Sequence, residues 1–167
     1  NLIADINFYL MHIIVFITIY SNVESIGEWK AYQVMFFMGT FTIIASISMA
    51  TFFFSILGLP GLIRTGQFDL FITKPINTLF YVSLQRFEFN SVFNFIFGLI
   101  IILYSIFHMD IKITIFKVLI YVFLILLMSG LYYTILAITC TAAFWFVNIN
   151  SLMRLGDELF SFSFRVP

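Results

Sequence analysis

Between Ile113 and Val147 the chain carries a single charged residue, Lys117. Few folds can accommodate such a run. At 1.5 Å per residue, a helix over it exceeds the roughly 30 Å of a bilayer core. Two further apolar runs cover about 34–59 and 87–107, and a shorter one covers about 6–20. Of the 167 residues, 62% are hydrophobic and 10% charged, against about 45–50% and 25% in soluble domains. A soluble fold of this length cannot cover that much apolar surface. The expectation is an all-α, polytopic transmembrane helical bundle in one transmembrane domain over 1–167, with the lipid bilayer as its first partner.

The last run is read as one long bent helix kinked near Ser129-Gly130; a full span plus a partial one around Ala142 to Trp145 is the alternative. Leu59-Pro60-Gly61 is expected to end the second run, since proline cannot continue the backbone ladder. The sequence starts at Asn1 and stops at Pro167, and both ends are expected to be cuts in a longer chain.

Net charge is zero, which gives no electrostatic footprint for nucleic acid. Cys140 is the single cysteine, and no His, Cys, Asp and Glu have metal-ligand spacing. No Gly-rich phosphate loop with Lys and Ser/Thr occurs, so no nucleotide or other cofactor is expected on this chain. No catalytic constellation is visible. His12 and Glu88 are read as a packing contact and an interface residue rather than as proton carriers.

The polar interruption at 60–86 holds Arg64, Lys74 and Arg86, whereas the first loop holds Lys30 and the next turn Lys112, with Lys117 just beyond. Basic residues mark cytoplasmic loops, so this interruption is expected in the cytoplasm. Within the spans, Asn90, Asn94 and Gly98 recur at i, i+4 and i+8, and Ser48, Thr51, Ser55 and Gly58 form a second small-polar stripe. Either stripe serves as interhelical packing or as the lining of a substrate path.

The interruption reads Gly66-Gln67-Phe68-Asp69-Leu70-Phe71-Ile72-Thr73-Lys74-Pro75. It resembles the permease subunits of ABC-2 type exporters, in the branch with a glycine-x-leucine-aspartate-x-leucine-leucine-x-arginine-proline signature. Phe68 and Phe71 stand for leucines and Lys74 for arginine. Ile76 to Phe80, Phe144-Trp145 and Phe164-Arg165-x-Pro167 are also similar to that family. Its permeases have six spans, and the proline-rich re-entrant segment and the last span find no counterpart here.

The resemblance implies a multi-pass subunit of a bacterial cell membrane. Two permease subunits, the same or homologous, would pair, and each would dock one copy of a cytoplasmic ABC ATPase dimer. ATP and Mg would be held by that partner and would drive export. The signature would be the coupling helix, with Arg64, Gly66, Gln67, Phe68, Asp69, Phe71, Lys74 and Pro75 as docking residues. Phe68 and Phe71, at i and i+3, are expected to anchor in an apolar cleft of the ATPase, with Asp69 and Lys74 at its rim. The rival reading is a non-transporting membrane protein, a lipid-modifying enzyme or an assembly scaffold.

Overall fold

The computed structural model describes Ile14, Thr18, Tyr20, Asn22, Ser25–Ile26, and residues 29–109 and 113–145. Most of the first expected span, His12, Lys112, and the tail with Phe164, Arg165 and Pro167 lie outside these residues. Ile14, Thr18, Tyr20 and Asn22 are helical. The Thr18 hydroxyl donates to the Ile14 carbonyl at 2.8 Å, the pattern of one helical turn.

Two short antiparallel strands, β1 (Ser25–Ile26) and β2 (Trp29–Lys30), form a hairpin with Ser25 opposite Lys30. β2 leads directly into α1 (Ala31–Ser48). The Gln33 side chain reaches back to accept from the Lys30 amide at 2.9 Å, which caps the helix start. A π-helical turn, Met49–Phe53, follows, and then α2 (Phe54–Leu57) and α3 (Leu59–Arg64). Together these form one rod, Ala31–Arg64. The rod does not stop at Leu59-Pro60-Gly61. Pro60 falls in the first turn of α3, where a missing N–H costs no intrahelical bond.

The interruption contains two short helices, α4 (Asp69–Ile72) and α5 (Thr78–Ser83). Two long helices follow, α6 (Asn90–His108) and α7 (Ile115–Thr141), and a 3-10 turn at Ala142–Phe144 is the last element among the described residues. The rod, α6 and α7 are each long and apolar enough to cross a membrane. α7 is one helix through Ser129-Gly130. The Thr134 hydroxyl donates to the Gly130 carbonyl at 2.7 Å, and Gly130 faces open space.

The rod and α6 run antiparallel. Tyr32, early in α1, stacks on His108 at the end of α6, with ring centroids 4.9 Å apart. Ser105 of α6 donates to the Tyr32 carbonyl. At the other end, the Glu88 amide just before α6 donates to the Ala50 carbonyl at 3.3 Å. Their crossing point is at Gly39 and Gly98. A Cβ on Gly98 would lie 3.2 Å from the Gly39 carbonyl oxygen, so only the absence of side chains permits this approach.

α7 runs parallel to the rod. Tyr121 packs on Phe36 at 5.5 Å and shares a 2.7 Å hydrogen bond with Thr40. Towards the far end, Tyr133 meets Phe52 edge-on at 5.1 Å. Ile43, Ile102 and Ile125 bring the rod, α6 and α7 together in one buried cluster. A second cluster, Phe52, Ile56, Leu59, Val82, Leu136 and Cys140, joins the rod and α7 to the interruption. Most other α7 side chains face outward and are apolar.

Candidate functional site: the elbow at 64–88

The rod turns at Gly66, whose φ of +72° lies in the left-handed region that suits glycine. The Gly66 amide donates to the Ile63 carbonyl at 3.2 Å, and the Phe68 amide reaches back to Leu62 at 3.1 Å. The chain then makes one turn of helix, α4, and Lys74-Pro75 ends it. Proline disfavours helical backbone at the residue before it. Asn77 starts α5 by accepting from the Phe80 amide at 3.2 Å. The elbow is therefore two short helical pieces, of about one and two turns, with a polar connection between them.

Most of the signature residues are on its surface. Arg64, Gly66, Gln67, Asp69, Lys74 and Pro75 are exposed. Phe68 and Phe71 share one face, which turns inward. Both are half-buried against the Phe52, Ile56 and Leu59 cluster. Phe68 meets Phe144 edge-on at 5.3 Å, and Phe71 lies 5.7 Å from Tyr81. Within the signature and the residue after it, the outward apolar side chains are Leu70 at 67% exposure, Ile72 at 57% and Ile76 at 50%; Phe80, Leu84 and Phe87 are exposed farther along the elbow. Two phenylalanines three residues apart bury more area by packing on their own core than by standing in water, and Leu70 is left on the other side.

Lys74 is held within the elbow. Its Nζ donates to the Tyr81 hydroxyl at 2.7 Å and sits 4.2 Å from the centre of that ring. Tyr81 had no signal in the sequence, because the contact spans a turn whose geometry is not local. Removing the ring by Tyr81→Leu is expected to raise modification of the Lys74 amine by an acylating reagent about 2- to 5-fold, as an exposed cation–π contact of about 0.5–1 kcal/mol requires. Tyr81→Phe should fall between Tyr81→Leu and the wild type. Equal Lys74 modification in all three proteins would show that the ammonium is not held.

The stripes within the spans divide. Gly98 is buried at the Gly39 crossing, Asn94 is half-buried, and Asn90 is exposed and donates to the Glu88 carboxylate at 3.1 Å. Ser48 and Thr51 donate to the carbonyls of Ile44 and Ile47, at 2.8 and 2.7 Å, four residues back. Such bonds satisfy a hydroxyl within its own helix. Ser55 behaves differently. Its Oγ accepts from the Arg86 amide at 3.0 Å, so it joins the elbow's return to the rod. Ser83 of α5 is likewise bonded to Tyr133 of α7, at 2.9 Å. Neither Ser83 nor Tyr133 stands out in the sequence.

The elbow thus presents an exposed polar and apolar outer face on a base packed against two spans. Among the described residues, no group of three or more His, Cys, Asp or Glu is placed to hold a metal ion. A family model described as "ABC-2 family transporter protein" matches residues 6–166. No curated protein and no solved structure matches the chain.

Proposed function

We propose, from the premise that the chain belongs to the ABC-2 family of transporter proteins, that it is the permease subunit of an ATP-driven exporter and that the elbow docks a separate cytoplasmic ATPase. Membership supports a permease role and a multi-pass membrane protein, the transmembrane component of a transporter that works with an ATPase component. The finer reading gives the spans the substrate path, pairs the subunit with a second permease, and leaves ATP and Mg to the partner. It places the protein in a bacterial cell membrane.

The observation that carries the docking reading is the exposed apolar surface of Leu70, Ile72 and Ile76, set among Gln67, Asp69 and Lys74 at one end of the bundle. Interfaces take this form: apolar anchors at the centre and charged groups at the rim. The contact surface is therefore assigned to Gln67, Asp69, Leu70 and Ile72. Phe68 and Phe71 act from behind, fixing that surface to the spans. Arg64, Lys74 and Pro75 border it, and Gly66 sets the turn.

One labelling experiment tests orientation and docking together. Gln67→Cys should react with a membrane-impermeant maleimide in inside-out vesicles but not in intact cells. Addition of the cognate ATPase should then protect it. Cys140, which is fully buried, should not compete. Labelling from outside intact cells would reverse the orientation. Unchanged labelling with saturating ATPase would remove docking from this segment.

A further inference from the structure

The elbow's return, from Ser83 to Glu88, is tied to both neighbouring spans by hydrogen bonds set among buried groups. Ser83 is 4% exposed and Ser55 is 5%. The Ser83 hydroxyl donates to the Leu79 carbonyl at 2.6 Å. Its one proton is then committed, so Tyr133 of α7 donates to Ser83 across their 2.9 Å contact. Three residues on, the Arg86 amide donates to Ser55 Oγ, which points back at the Arg86 carbonyl from 3.4 Å. The Glu88 amide then donates to the Ala50 carbonyl. Ala50 lies in the π-helical turn, whose wider winding departs from the regular i to i−4 pattern.

We infer that this return is a transmission strap. It ties the elbow to α7 through Ser83–Tyr133 and to the rod through Arg86–Ser55, in α2, and Glu88–Ala50, in the π-turn just before it, so that a displacement of the elbow reaches both spans. Val82, with no exposed surface, fills the space between the two attachments. Water cannot easily replace bonds in such surroundings, so breaking either attachment leaves a polar group desolvated. Sliding of the elbow over the spans is resisted, and joint movement is favoured. Ser55 and Tyr133 are positioning residues: each bonds to the elbow's return and acts through it. This inference rests on the docking reading, because the displacement comes from the partner ATPase.

The test uses the permease with its ATPase in lipid bilayers, and reads hydrogen exchange with and without MgATP. Co-purification of the ATPase is measured alongside. Ser55→Ala and Tyr133→Phe each remove one hydroxyl and little volume. Exchange at the Arg86 amide should rise about tenfold in Ser55→Ala, as loss of one buried bond predicts. In the wild type, MgATP should change exchange both in the elbow and in α7. In the double variant, the elbow should still respond, and the response in α7 and α2 should fall at least about threefold. Ser55→Thr, which keeps a hydroxyl, should restore the response of α2, an outcome that mere loss of stability does not produce.

An undiminished response of the spans in the double variant would overturn the strap. So would a bound ATPase and a responding elbow with unresponsive wild-type spans. Failure of the wild-type ATPase to co-purify would overturn the docking reading, and the strap with it.

Discussion

Gly98→Leu is expected to leave little folded protein. A Cβ at position 98 would lie 3.0 Å from Ile43 Cγ1, 3.2 Å from the Gly39 carbonyl oxygen and 3.3 Å from the Ile43 amide nitrogen. Gly39 is confined reciprocally: a Cβ there would lie 2.7 Å from Ile102 Cγ1 and 3.2 Å from the Gly98 carbonyl oxygen. Two of the three neighbours at Gly98 are backbone atoms, which cannot rotate aside. The helices must separate instead. Within a bilayer the loss is not offset by the hydrophobic effect, because lipid solvates the exposed faces as well as protein does. Overpacking by even a methyl group costs about 1–3 kcal/mol, so Gly98→Ala should lower the unfolding midpoint in detergent. Gly98→Leu should shift most of the protein into aggregate on size-exclusion chromatography. Gly130→Leu is the control. Nothing lies within 4 Å of a Cβ there, and replacing a mid-helix glycine should be neutral or mildly stabilising. A wild-type midpoint for Gly98→Leu would show that the close crossing does not support the bundle.

Gly98 shows how far the sequence can be read. Its place on a stripe with Asn90 and Asn94 was legible, because helical periodicity is a local property. Its partner Gly39 was not, because nothing within α1 marks which turn meets α6. Only Gly98 of that stripe is at the crossing; Asn90 turns to Glu88 instead. The apolar runs were legible as helices for a stronger reason: no soluble fold could bury them. Where the rod ended was less so. Pro60 reads as a stop, yet it is tolerated in a first turn, and the helix resumes through Arg64. The last run is one helix from Ile115 to Thr141, with Ser129-Gly130 inside it, because helical periodicity and apolar length are local signals. The π-turn, the Lys74–Tyr81 contact and the Ser83–Tyr133 bond all depend on tertiary approach and left no pattern to find. For Phe68 and Phe71, the i, i+3 spacing gave their common face but not its direction. That direction decides which residues are available to a partner.

Leu70→Ala with Asp69→Ala is therefore expected to release the ATPase, and Phe68→Ala is not expected to do so by the same route. Leu70 is two-thirds exposed, so its truncation costs the free permease little. If Leu70 anchors in the partner, its loss is worth roughly 2 kcal/mol or more, about 30-fold in affinity. Asp69→Ala adds the cost of leaving donors on the ATPase without an acceptor. The unfolding midpoint should stay within about 2–4 °C of wild type, since two surface changes of about 0.5 kcal/mol each amount to no more than that. Phe68→Ala works on the other side of the elbow. It removes a half-buried ring from Phe144 and the core cluster. Full burial would make that change cost about 3–5 kcal/mol, and half burial reduces it to about 1–3 kcal/mol. Its signature is a lowered midpoint, with affinity lost only in proportion to the disordered elbow. Measuring both quantities, unfolding midpoint and ATPase affinity, on both variants separates the two faces. If Phe68→Ala instead abolishes binding at an unchanged midpoint, the phenylalanine face is the one that meets the partner, and the elbow must rotate outward to present it.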